Sequence, residues 1–230
     1  LHVVRNRGRS LVRMSLRPQR ITASDLRSIA VVGLPAALVI VLASVSNAFM
    51  VGQLSAAPVA ATSGMGVMQK LETLPFQLIM GISDGVIPLV AYNYASGNRE
   101  RMHRAIRVAL GAGIAAALVF LALYEAAAEA LVGLFVADAG SVAYGAAFLR
   151  LRVLALPPII AEFMLIAVFQ ATGQGRSAMV LSFLRKGTVD LPLMVAANAV
   201  WPLYGLMLVQ PFMECVGAAV ATVLWHRQAR

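Results

Sequence analysis

Long apolar segments separated by short polar connectors dominate this chain. A bilayer core of about 30 Å requires about 20 apolar residues per helix. On that scale the pattern predicts six transmembrane helices, near residues 29–51, 66–91, 108–131, 153–172, 178–200 and 203–225. Residues 142–152, with Arg150 and Arg152, are expected to lead into the fourth span at the outer interface. The pattern predicts an all-α integral membrane protein with polar ends at 1–28 and 226–230.

The composition supports this fold class. Hydrophobic residues make up 60% of the chain and charged residues 13%, whereas about 25% of the residues in a soluble domain are charged. The mean hydropathy is +0.80. The net charge of +9 could suggest a nucleic-acid surface, but its arginines lie at the ends of apolar segments. We therefore expect a lipid bilayer as partner and no nucleic acid.

The basic residues also predict the orientation. If all six segments cross, 14 of the 19 basic residues fall on the same side of the membrane. Seven of these arginines precede span one, four follow span two, and three follow spans four and six. The opposite connectors, 53–63 and 125–140, contain no Lys or Arg. By the positive-inside rule both termini are cytoplasmic. We expect a multi-pass protein of the plasma membrane, the inner membrane in a bacterium.

Span two carries a polar stripe. Lys70, Gln77 and Asp84 are seven residues apart, which places them on one face of a helix with 3.6 residues per turn. Thr73, Gly81 and Pro88 fill the positions between and beyond them. A packing face with a proline bend would explain the small residues. A carboxylate is not needed for packing and is costly in lipid, so Asp84 is a candidate site on an ion or substrate pathway.

Three further carboxylates fall near the middle of their spans: Glu162, Asp190 and Glu214. Lys186 precedes Asp190 by four residues, so an ion pair on one helix face is the alternative role for Asp190. Glu162 has no opposite charge within four residues. Glu162 and Asp84 are therefore the better candidates for a carboxylate that binds and releases a proton or a sodium ion.

Other polar residues predict less chemistry. Asn47 in span one is a candidate neutral contact in the pathway, or an interhelical hydrogen bond. The three histidines are scattered over tails and a loop, and the single cysteine lies in the last span. No GxSxG or HExxH sequence occurs. We expect no enzyme, no transition-metal site and no cofactor.

Five motifs, in order along the chain, carry a resemblance to a known family. They are Gly33-Leu34-Pro35, the run from Gly81 to the Tyr-Asn-Tyr turn ending at Asn98, Phe169-Gln170-Ala171-Thr172-Gly173, Arg185-Lys186-Gly187, and Gln210-Pro211 through Glu214. With these motifs, residues 21–228 resemble the C-terminal six-helix lobe of the multidrug and toxin extrusion (MATE) family. Asp84 and Asp190 stand where that family usually has no acid, so neither inherits a family role.

The resemblance implies one lobe of a two-lobed antiporter that exports cationic or amphipathic organic compounds against a proton or sodium gradient. An N-terminal lobe is then the missing partner, and residues 1–28 resemble the loop between lobes, so we expect a piece of a longer polypeptide. Glu162 only approximates an acid position of sodium-coupled relatives, which favours proton coupling through the absent lobe. Two alternatives are a lipid-linked oligosaccharide flippase and a non-transporting membrane subunit that acts in assembly.

Overall fold

The computed structural model describes residues 22–54, 57–174 and 189–228, and seven helices occupy these ranges. They are α1 Ala23–Leu54, α2 Val59–Ala95, α3 Arg99–Gly133, α4 Ala139–Val153, α5 Leu156–Ala171, α6 Asp190–Val200 and α7 Tyr204–Gln228. The chain divides into two compact units, Leu1–Ala37 and Leu38–Arg230. The second unit contains the end of α1 and all of α2 to α7, and the contacts below belong to it. The all-α fold class is confirmed.

Three of these helices are long and apolar enough to cross a membrane: α2, α3 and residues Tyr204–His226 of α7. A fourth span is formed if α4 and α5, which meet at an angle of 45°, count as one broken crossing. Val41–Leu54 and Asp190–Val200 are shorter apolar helices. Predicted spans 66–91, 108–131 and 203–225 overlap α2, α3 and α7, whereas the first part of span 178–200 lies outside the described residues.

The bend between α4 and α5 follows from two prolines. Pro157 and Pro158 lack the N–H groups that would bond to carbonyls in the last turn of α4, so one continuous helix cannot form. Residues 139–153 therefore form a helix of their own. Arg152, which the sequence places at the outer interface, is buried inside the lobe.

Glycines allow the central helices to approach closely. α2 packs against α3, α4 and α5, and α4 and α5 also pack against α7. At the crossing of α2 and α4, a Cβ on Gly64 would lie 2.6 Å from the backbone nitrogen of Gly145. Ile160 of α5 fills the space that a side chain on Gly113 of α3 would need. Small residues are the usual means of close helix packing in membranes.

The turn between α2 and α3 explains one of the sequence motifs. Gly97 has a φ of +74°, and the N–H groups of Gly97 and Asn98 bond to the carbonyls of Tyr94 and Asn93. This is a Schellman C-cap, which favours glycine at the left-handed position. The side chain of Asn98 then accepts a hydrogen bond from the N–H of Arg101 and begins α3. The motif therefore ends one helix and starts the next.

Candidate functional site

A buried ion pair joins α2 to the end of α4. Nη2 of Arg152 lies 2.8 Å from Oε2 of Glu72, and Nε of Arg152 lies 3.3 Å from the same oxygen. Only 8% of the arginine side chain and 15% of the glutamate side chain are exposed. Because charges in a membrane interior are costly unless they are paired, each residue stabilises the burial of the other.

The ion pair lies beside a proline inside α2. Pro75 has no N–H to donate to the carbonyl of Leu71, four residues earlier. The hydroxyl of Tyr124 on α3 donates to that carbonyl at 2.8 Å, and Tyr124 is buried. The tyrosine therefore replaces the hydrogen bond that the proline removes, and it ties α3 to α2 at Leu71, the residue that precedes Glu72.

A cavity of about 260 Å³ opens next to the ion pair. Side chains from α1, α2, α4, α6 and α7 line it: Asn47, Met50, Gln69, Glu72, Thr73, Phe76, Arg152, Met194 and Gln210. Nε2 of Gln69 donates to Oδ1 of Asn47 at 3.2 Å. A cavity of this size with several polar groups can hold water or a small polar ligand.

The three acids predicted near the middle of their spans are all buried. Glu162 is fully buried on α5, Asp190 is buried at the start of α6, and Glu214 is buried on α7. A Cβ on Gly217 would overlap the carboxyl group of Glu162, so that group lies directly against the backbone of α7. Glu214 lies one turn before this contact on the same helix. Lys186, the predicted partner of Asp190, lies outside the described residues.

Apart from Thr73, which also lines the cavity, the predicted stripe of span two lies on a different surface. Lys70, Gln77 and Asp84 are all exposed along α2, and a side chain on Gly81 would meet no atom within 4 Å. No helix among the described residues of this unit covers that face at Gly81. The stripe, defined as Lys70, Thr73, Gln77, Gly81, Asp84 and Pro88, is therefore a surface of the lobe rather than part of its interior.

The structure separates the predicted residues into three groups. Asn47 lines the cavity, the buried acids lie on α5, α6 and α7, and Lys70, Gln77 and Asp84 lie on the exposed stripe. The charged pair at the cavity was missed. Its signal was present, because Glu72 and Arg152 are opposite charges inside two apolar segments. Among the described residues, no group of three His, Cys, Asp or Glu side chains could hold a metal ion.

Comparison with known proteins identifies the family. The MatE family model matches residues 35–195. The multidrug export protein MepA of Staphylococcus saprophyticus is 29% identical over 222 residues, which are 95% of this chain and 48% of that protein. MepA of Staphylococcus haemolyticus is 30% identical over 186 residues, 81% of this chain and 41% of that protein. The chain spans about half the length of these curated relatives.

Solved structures share the fold. A MATE protein in complex with MaL6 superposes with a TM-score of 0.81 at 19% identity, covering 99% of this chain and 52% of that one. An outward-facing MATE transporter of the MOP superfamily gives a TM-score of 0.80 at 20% identity, with coverage of 99% and 51%. The all-helical unit thus corresponds to one lobe of such a structure, and the chain belongs to the MatE family.

Proposed function

We propose that the chain is the C-terminal lobe of a proton- or sodium-coupled antiporter that exports cationic or amphipathic organic compounds. The observation that carries the proposal is the exposed polar stripe on α2. A polar face with a lysine and a carboxylate is unfavourable against lipid, and is expected to face protein or water. A second lobe opposite this face would enclose a polar cleft, in keeping with relatives twice as long as this chain.

In this proposal the carboxylates have separate roles. Asp84 lies on the exposed stripe and attracts the positive charge of an organic cation in the cleft. Glu162 is fully buried, and it exchanges a proton or a sodium ion when the cleft changes its access from one side to the other. Basic residues around spans one, two and six support cytoplasmic termini in a bacterial inner membrane.

The test is transport by the native polypeptide that carries this chain, reconstituted in proteoliposomes. An imposed pH gradient or sodium gradient should drive movement of a fluorescent organic cation, and the effective gradient identifies the coupling ion. Flux that ignores both gradients contradicts the proposal. If the protein moves a lipid-linked oligosaccharide and no organic cation, the result would favour the flippase. If it transports neither, the result would favour an assembly subunit.

The carboxylate roles are tested in the same vesicles. Asp84→Asn and Glu162→Gln should each reduce gradient-driven transport at least tenfold, because a hydrogen bond to a charged group contributes about 1.5–3 kcal/mol and about 1.4 kcal/mol corresponds to a factor of ten. Asp138→Asn is the matched control, because this acid is the N-cap of α4 in a connector away from both groups. Full transport by both test variants would leave these two acids with a packing role.

A further inference from the structure

Three arginines form a basic stripe at the start of α3. Arg101, Arg104 and Arg107 are three residues apart and all exposed, so they follow one side of the helix over about 9 Å. Glu100, at the beginning of the same helix, makes no ion pair with them among the described residues. The stripe is therefore a local concentration of positive charge without a carboxylate counter-ion in the described part of the chain.

Two other arginines among the described residues have carboxylate partners. Arg152 pairs with Glu72, and Arg150 pairs with Glu129 at 3.3 Å. The lobe itself therefore supplies a carboxylate to each of these two arginines. Among the described residues no carboxylate pairs with the three arginines at the start of α3, so a counter-charge from outside the lobe fits there.

The same side of α3 continues as an entirely apolar surface. Residues 108–123 contain no polar side chain. The positions on the same side of the helix as the arginines are exposed; they are Val108, Gly111, Ala112, Ala115, Leu118, Val119 and Ala122. On this side only glycine and alanine lie between Val108 and Leu118, and a Cβ on Gly111 would meet no atom within 4 Å. We call this low strip of small side chains the groove. This surface differs from the exposed stripe of α2, which is polar, and it suits hydrocarbon.

Aromatic residues mark the level of the membrane surface at this end. The indole ring of Trp225 lies 6.2 Å from His103 in an edge-to-face contact, and Cζ of Arg99 lies 4.9 Å from the ring centre of Tyr94. Trp and Tyr favour the boundary between hydrocarbon and water. The basic stripe therefore begins in the headgroup layer, and about 20 residues from Val108 onward suffice to cross the core.

We propose that the basic stripe and the groove together bind an anionic phospholipid. The headgroup phosphate accepts hydrogen bonds from the guanidinium groups of Arg101, Arg104 and Arg107, and one acyl chain lies along the groove below Val108. Arginine suits this role because its planar fork can bind two phosphate oxygens. The counter-charge that the described residues do not supply then comes from the bilayer.

The test is lipid binding by the delipidated native polypeptide in detergent, followed by native mass spectrometry. Phosphatidylglycerol should bind in preference to phosphatidylcholine with the same acyl chains. Replacing all three arginines by glutamine should weaken phosphatidylglycerol binding by about a hundredfold, from three basic contributions near an anionic surface. Arg150→Gln, at an exposed arginine with a carboxylate partner, should keep the preference.

Two further arms make the result decisive. Replacing the three arginines by lysine keeps the positive charge and should retain more than half of the preference for phosphatidylglycerol over phosphatidylcholine. This variant separates lost lipid binding from altered membrane insertion, because its charge is unchanged. Inorganic phosphate should not compete at millimolar concentration, since it has no acyl chain. An unchanged phosphatidylglycerol preference in the glutamine variant, or full competition by free phosphate, would overturn the proposal.

Discussion

Replacement of Arg152 by glutamine should destabilise the lobe strongly. The ion pair with Glu72 is 2.8 Å long, and its side chains are only 8% and 15% exposed. Removing one partner of a buried pair costs about 3–5 kcal/mol, because the other charge remains without its counter-ion. The adjacent cavity of about 260 Å³ can bring water to the carboxylate. We therefore expect a loss of about 3 kcal/mol, at the lower end of that range.

A double-mutant cycle measures the interaction itself. Arg152→Gln, Glu72→Gln and the double variant are unfolded in mixed micelles by increasing sodium dodecyl sulfate, with the native polypeptide as reference. The double variant has no unpaired charge, so its loss should be smaller than the sum of the single losses by about 2 kcal/mol. Arg150→Gln is the matched control, because its pair with Glu129 is 39% and 68% exposed and should contribute less than about 1 kcal/mol.

Two results would contradict a stabilising ion pair between Glu72 and Arg152. Arg152→Gln could unfold within about 1 kcal/mol of the native polypeptide, as expected for an exposed pair. The single losses could also add without coupling, which would mean that Glu72 and Arg152 do not interact in the membrane.

Three other predictions follow from local contacts. Tyr124→Phe should lower the free energy of unfolding in mixed micelles by about 1–2 kcal/mol. The loss should be smaller in a Pro75→Ala background, because the alanine N–H can donate to the carbonyl of Leu71. Equal losses in both backgrounds would contradict this role of Tyr124. Gly64→Ala should lower the midpoint of thermal unfolding by several degrees, because the new Cβ would meet the backbone of α4. Gly66→Ala should leave the midpoint unchanged, because a Cβ there would meet no atom within 4 Å. Equal midpoints for the two variants would argue against the close crossing of α2 and α4. Hydrogen bonds from the Ser141 N–H and hydroxyl lower the pKa of Asp138, so this carboxylate stabilises the fold above its unfolded pKa. That stability disappears as pH falls through the folded pKa, and a pH-unfolding profile of Asp138→Asn should lack this acid-dependent part.

The sequence predicted features that repeat along one helix. The stripe with Lys70, Gln77 and Asp84 has a regular spacing, and the structure finds all three exposed on one surface of α2. The Tyr-Asn-Tyr turn was recognised by its resemblance to a family motif, and the structure shows that it consists of a glycine C-cap and an asparagine N-cap. Each of these features lies within a short stretch of the chain.

The sequence did not predict features that depend on contacts between distant segments. Glu72 and Arg152 are 80 residues apart, and only the packing of α2 against α4 brings them together. The cavity needs side chains from five helices, so no local pattern describes it. The separate helix α4 is an intermediate case, because Pro157 and Pro158 indicate a break but do not give the 45° angle.

Reactivity of single cysteines in the membrane shows directly whether the α2 stripe faces a water-filled cleft. The native polypeptide carries Gln77→Cys on the α2 stripe or Val119→Cys on the apolar side of α3, each with Cys215, the single cysteine of this chain, replaced by serine. A water-soluble, membrane-impermeant maleimide should modify the Gln77→Cys variant, and a transported organic cation should slow that reaction. The Val119→Cys variant should remain unmodified. A Gln77→Cys variant that is as unreactive as Val119→Cys would contradict a water-filled cleft along α2.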